Sequence, residues 1–179
     1  MRMRTLIATA AAVALLPFGG VSAADYTVVL TPGDAETIAH GIPMGTNVNY
    51  FGEVGENEYV PTGTCTKDPT TYCETVLVQL DNPVPANPDG SPAVAKRSLR
   101  VTVSWDEEVS DFDLVAFVSD AEGVRGAELG QSASWTYEAG SGEALTLLIT
   151  TNTDTPTKYV LLELVYFAAA TPPTTTLNF

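Results

Sequence analysis

The sequence is poor in the side chains that most often carry chemistry. It holds one histidine, His40, and two cysteines, Cys65 and Cys73. A hydroxyl–imidazole–carboxylate nucleophile would have to use His40, which lies in "IAHGIPMG". No serine occupies a Gly-x-Ser-x-Gly elbow, and "GQSAS" at 130–134 has the wrong ending. His40 therefore reads as a loop residue, and thiol chemistry is not expected. Basic residues are scarce as well, 8 Lys and Arg against 22 Asp and Glu, for a net charge of −14. Binding a phosphate backbone requires cationic groups that displace counterions, so nucleic acid is not expected as a partner. After residue 23 there is no further long apolar run and no sustained 3.6-residue apolar pattern, which argues against both a transmembrane segment and a helical bundle.

What is present begins with a leader. Arg2 and Arg4 precede an apolar run at 6–16, which is followed by Pro17, Gly19 and Gly20 and then by the small residues Val21-Ser22-Ala23. This is the pattern of a secretory signal peptide over residues 1–23, with cleavage after Ala23. The run is too short for a bilayer, which needs roughly 20 residues. The leader carries two basic residues and no acidic one, so its removal takes the net charge from −14 to −16. The mature chain is expected to be extracellular, and there Cys65 and Cys73 are expected to form one disulfide closing a short loop. The chain-entropy model gives such a loop roughly 2 to 3 kcal/mol. Zinc, the competing reading of the pair, would want further Cys or His ligands.

The mature chain has the length of a single domain, and its patterning has period two. In "RSLRVTVSW" (97–105) Leu99, Val101, Val103 and Trp105 fall on one face. "ETVLVQL" (74–80) and "EALTLLIT" (143–150) alternate similarly, the latter with Leu145, Leu147 and Ile149 in phase. "KYVLLELVYF" (158–167) is apolar on both faces except at Glu163, which predicts a central strand or one whose outer face is covered. "DYTVVL", "NVNYF", "DFDLVAFV" and "QSASWTYE" are further candidates, and "NPDGS" and "DAEG" have turn chemistry. Seven or eight such strands predict an all-β sandwich with jelly-roll or Greek-key connections over residues 24–170. Residues 171–179, "TPPTTTLNF", read as a Pro/Thr-rich tail.

The densest acidic stretch is "SWDEEVSDFDLVAFVSDAEG" at 104–123. Trp105, Phe112, Leu114 and Ala116 read as core, which leaves Asp111 and Asp113 on the opposite face of their strand. Three readings compete. Asp106, Glu107, Glu108, Asp111 and Asp113 could supply oxygens to calcium, a hard cation that takes six to eight of them. Asp111 and Asp113, at i and i+2 with Cβ atoms roughly 6 to 7 Å apart, could serve as a hydrolase's carboxylate pair. The favoured reading is an acidic hairpin loop at 106–110, pinned by these side chains.

Taken together, "LRVTVSWDEEVSDFDLVAFVSDAEG", "SASWTYEAGSGEALTLLI" and "KYVLLELVYF" resemble the bacterial pre-peptidase C-terminal (PPC) domain. Asp111, Asp113 and Leu114 match its Asp-x-Asp-Leu element, Gly142 and Glu143 its Gly-Glu strand start, and Tyr159 and Val160 its closing strand. The likeness spans residues 98–167 and extends loosely to the stretch from Cys65 to Leu80. "TPTKY" departs from the glycine that usually precedes the closing Tyr. The resemblance implies a jelly-roll-like sandwich and a noncatalytic appendage of secreted enzymes; some relatives bind calcium and some bind insoluble polymers. The expectation is a secreted, noncatalytic binding or accessory module, with no required cofactor and with calcium as an option. Its partner would be an extracellular protein or polymer. The rivals are a purely structural exported cell-envelope protein and a hydrolase using Asp111 and Asp113.

Overall fold

A computed structural model describes residues 24–41, 73–105, 111–132, 142–168 and 172–179. The leader, Cys65, Asp106 and Glu107 lie outside these residues, as do "NVNYF" and most of "QSASWTYE". The described chain is all-β. Its nine strands are β1 (Tyr26–Leu30), β2 (Ala35–Ala39), β3 (Cys73–Asp81), β4 (Val94–Ser104), β5 (Asp111–Ser119), β6 (Arg125–Ser132), β7 (Gly142–Asn152), β8 (Thr157–Ala168) and β9 (Thr174–Asn178). Among the described residues no helix is long and apolar enough to cross a membrane.

The strands form two sheets, a five-stranded one in the order β1-β3-β8-β5-β6 and a four-stranded one in the order β2-β9-β4-β7. Among the nine described strands only β5 and β6 follow one another within the same sheet; each other step from one described strand to the next crosses between sheets. All pairings are antiparallel except β1 with β3. The expected turns are present: Gly90 N–H donates to Asn87 O and Gly123 N–H to Asp120 O. Both glycines sit at a φ of 81°, where a side chain would be strained.

The alternation read from the sequence fills the space between the sheets. Leu99, Val101, Val103 and Trp105 meet Phe112, Leu114 and Ala116 there, together with Val160, Leu162, Leu164 and Tyr166. At about 25 cal/mol per Å² of apolar surface removed from water, this layer is the main source of stability. β8 is the central strand of the larger sheet, as its two-sided apolarity predicts. On the sheet's outer face Val115, Phe117 and Leu161 form a second buried cluster, with Ala24 packed against it.

Two expectations are corrected. The tail is a strand: β9 runs between β2 and β4 in the four-stranded sheet, and Thr175 and Leu177 are buried. Its run of threonines is strand-forming β-branched sequence, and Pro172 and Pro173 stand just before it, where a missing N–H costs no ladder bond. β4 and β5 lie in different sheets, so they are not the arms of a hairpin. In addition β6 runs from Arg125 to Ser132, ahead of most of "QSASWTYE"; its polar, glycine-bearing sequence lacks an apolar alternation to announce it.

Arg125 completes the outer layer of the larger sheet. Its guanidinium lies 3.9 Å from the centroid of the Phe117 ring, and its Nη1 donates to Glu163 Oε1 at 3.2 Å. The Glu163 side chain is only 1 % exposed, so its charge depends on such partners. Arg125→Ala should lower the unfolding free energy by about 3 kcal/mol, and Glu163→Gln in that background should restore part of it. Urea unfolding of the two variants checks this; a cost within 0.5 kcal/mol, the ordinary range for surface sites, would contradict it.

Candidate functional site

One end of the sandwich holds a group of buried polar side chains, His40, Glu74 and Thr175. Glu74 is in phase with Val76, Val78 and Leu80 on β3, so the strand's alternation turns its carboxylate into the core. Thr175 on β9 lies opposite Ile38 of β2 and Val103 of β4 and shares their inward face. His40 follows β2 directly, and its backbone N–H donates to Pro173 O at 3.1 Å. These placements bring Thr175, His40 and Glu74 into line, with Tyr166 bonded to the acid. His40 Nδ1 is 2.6 Å from Glu74 Oε2, His40 Nε2 is 2.8 Å from Thr175 Oγ1, and Tyr166 Oη–H donates to Glu74 Oε2 at 3.1 Å. The Tyr26 ring stands edge-on to the imidazole with centroids 5.1 Å apart. Burial, then the charges of Glu74 and Asp25, push the Tyr26 hydroxyl above its ordinary pKa.

Hydroxyl, imidazole and carboxylate are thus bonded in the order of a nucleophilic triad. The arrangement is closed, however: the His40 side chain is fully buried and Thr175 is 2 % exposed. A nucleophile inside the core meets no substrate. What the network does is tie β2 and β9 of one sheet to β3 and β8 of the other. His40 thus lies outside the strands, as the sequence suggested, but its side chain is buried in the core. The missed signal was Glu74, whose phase with three aliphatic residues already placed a carboxylate in the core, where it needs a partner.

Removing one partner of a buried hydrogen-bonded pair leaves the other unsatisfied in a dry environment, which costs about 1 to 3 kcal/mol and more for a charged group. His40→Ala should lower the unfolding free energy by about 3 kcal/mol, measured by urea titration. A loss under about 1 kcal/mol would mean that the network does not hold the sheets together.

A second polar group lies beside β5. Asp111 and Asp113 flank the buried Phe112 and share the outer face of the larger sheet with Val115 and Phe117. Glu143 on β7 is in phase with Leu145, Leu147 and Ile149, is buried, and accepts a hydrogen bond from Ser132 Oγ–H. Burial first, then the charges of Asp111 and Glu143, push the Asp113 carboxyl up to about 7. Burial and Glu143 raise Asp111 as well. Of the residues expected to hold calcium, the structure describes these two aspartates; Asp106 and Glu107 lie outside it. Among the described residues no group of three or more His, Cys, Asp or Glu side chains is disposed to hold a metal ion. Cys73 is buried at the start of β3, whereas Cys65 is not among the described residues.

A raised carboxyl gives pH dependence of definite sign. Between pH 3.8 and about 7 folded Asp113 keeps a proton that the unfolded chain releases, so stability falls as pH rises through that window and levels off above it. Asp113→Asn should therefore melt at a higher temperature than the parent at pH 8, with the gap closing toward pH 4. A gap of the same size at both pH values would contradict this origin.

The smaller sheet offers an open surface of different character. Its outward rows run Thr37–Thr176–Thr102–Ala144 and Ala39–Thr174–Ser104–Gly142, with Arg100, Thr146, Lys96 and Thr150 on the following rows. Most of these side chains are exposed, and no outward position of the four strands holds a carboxylate. No protein-family model matches the chain, and no curated protein matches it.

Proposed function

We propose that the chain is a secreted, noncatalytic binding or accessory module that acts outside the cell and meets an extracellular polymer through the outer face of its four-stranded sheet. The observation that carries this reading is the contrast of charge. A protein of net charge −14 presents one exposed sheet face of threonine and serine hydroxyls with Lys96 and Arg100 and without a carboxylate. Hydroxyls at strand spacing can exchange hydrogen bonds with a polyhydroxylated or amide-bearing chain, and the two cations favour anionic substituents on it. Export is supported by the leader at 1–23, and the resemblance to PPC domains agrees with an accessory role. In the oxidising exterior Cys73 would pair with Cys65; no cysteine among the described residues is free.

Calcium enters this reading as an optional stabiliser. A cation held by Asp111 and Asp113, with further oxygens from Asp106 and Glu107, would offset the burial and the repulsion that together raise Asp113. The rival reading, a hydrolase, draws on the same two carboxylates, since a carboxyl raised to about 7 suits acid–base work near neutrality.

The test is retention of the exported protein on insoluble cell wall, chitin and collagen, with assay for turnover and unfolding in calcium or chelator. Retention on one polymer without turnover is expected, weakened about tenfold or more by Arg100→Glu with Thr102→Glu, which place like charge on the face. Retention indifferent to those changes would remove the face from the reading. Turnover abolished by Asp113→Ala with folding intact would replace the reading by the hydrolase. A calcium site filled at a hundred times its Kd should add about 2.7 kcal/mol of stability, and no shift in Tm would remove calcium.

A further inference from the structure

The described strands leave four sheet edges, β1 and β6 on the larger sheet and β2 and β7 on the smaller. Exposed strand edges invite pairing with another chain, and proteins guard them with shortness, charge or irregularity. Three of the four are guarded in these ways. β1 and β2 have five residues each, and β2 carries Glu36. β6 carries Arg125 and Glu128, and its register with β5 slips at two places.

β7 lacks these devices over its central stretch, from Thr146 to Thr150; toward its ends the outward backbone is engaged, Ala144 N–H donating to Ser132 Oγ and Asn152 N–H to Thr155 O. It is eleven residues long and pairs with β4 in unbroken register from Gly142 to Asn152, and no described strand lies on its other side. Its one charged residue, Glu143, is turned into the core at the strand's end. The outward side chains are Gly142, Ala144, Thr146, Leu148, Thr150 and Asn152, and Leu148 is 66 % exposed.

We infer that β7 pairs antiparallel with β7 of a second copy about a two-fold axis at Leu148, joining the two smaller sheets into one of eight strands. Three features select a second copy as the occupant. An antiparallel strand pair on a two-fold axis is self-complementary by construction, which is the geometry of the commonest dimers. With the axis at Leu148, the two exposed leucines meet across the seam and remove each other's apolar surface from water, Thr146 faces Thr150, and no charge faces a like charge. Two copies at −14 repel over most of their surfaces, and the edge that borders the carboxylate-free face is where they approach with least repulsion. This inference stands apart from the polymer reading, although pairing would double the width of the hydroxyl face.

Sedimentation of the full exported protein up to about 100 µM should show a reversible dimer, in the range where a modest interface associates. Leu148→Lys, at an exposed site and therefore without effect on folding, should weaken it about tenfold or more. Leu148→Cys should give a disulfide-linked dimer on mild oxidation, because residues opposite each other across an antiparallel pair lie within disulfide reach. Thr146→Cys should not, since its partner position is Thr150. A parent protein monomeric at that concentration overturns the inference, as does a dimer indifferent to Leu148→Lys. Cross-linking at position 146 in place of 148 overturns the register, and binding of an unrelated extended peptide by a monomeric parent replaces the second copy with a foreign strand.

Discussion

The carboxylate of Glu74 cannot leave the core without taking Val76, Val78 and Leu80 with it, because all four share one face of β3. A one-residue slip in register would release the acid and expose the aliphatics, so the hydrophobic effect holds a charge-bearing group in a dry place. Much of that end of the sandwich answers to this constraint. His40 is placed by the end of β2, Thr175 by β9 and Tyr166 by β8, and their hydrogen bonds satisfy the acid and each other. The network thereby acts across both sheets, which crossing connections alone do not fasten. An aliphatic core slides over many near-equivalent packings; a buried acid with directional partners admits few.

Period-two alternation made the body of the fold legible. β4, β5, β7 and β8 announce their inward faces by aliphatic spacing, and the two-sided apolarity of β8 even announced its central place. The elements that were hidden are those whose burial is not carried by aliphatic residues. β9 is mostly threonine, whose β-branched shape favours strands while its hydroxyl resembles a linker's polarity. β6 carries arginine, glutamate and two glycines, and its stability comes from pairing with β5 and from Arg125 against Phe117 and Glu163. Topology was hidden for a different reason. Whether "SWDEEVSDFDL" turns a hairpin or crosses between sheets depends on pairing partners remote in sequence, which no local pattern encodes.

The candidate site divides along the same line. Asp111 and Asp113 were visible as acids opposite a core face, and that is where they lie. Their electrostatic partner Glu143 was not singled out, although its phase with Leu145, Leu147 and Ile149 placed it inward in the same way that Glu74 is placed. In both strands the informative residue is the charged one at an apolar position. The triad-like order of Thr175, His40 and Glu74 shows why bond order alone does not make a catalytic site. The same hydrogen bonds that would activate a nucleophile serve equally to neutralise a buried carboxylate, and access to substrate separates the two roles.

The distribution of charge over the two sheets bears on function more directly than any single residue. Carboxylates are disfavoured in strands generally, so their absence from the outer face of the smaller sheet has a partly local cause. That cause acts equally on the larger sheet, yet its outward positions include Asp81, Asp111, Asp113, Glu128 and Glu163. Strand propensity therefore does not account for the difference between the faces. Solubility does not account for it either, since a surface kept apart from other molecules gains from dispersed like charge. A face left without carboxylates and furnished with hydroxyls supports the proposal that this sheet meets a partner. In that proposal the partner need not carry the cations that the rest of the molecule would attract.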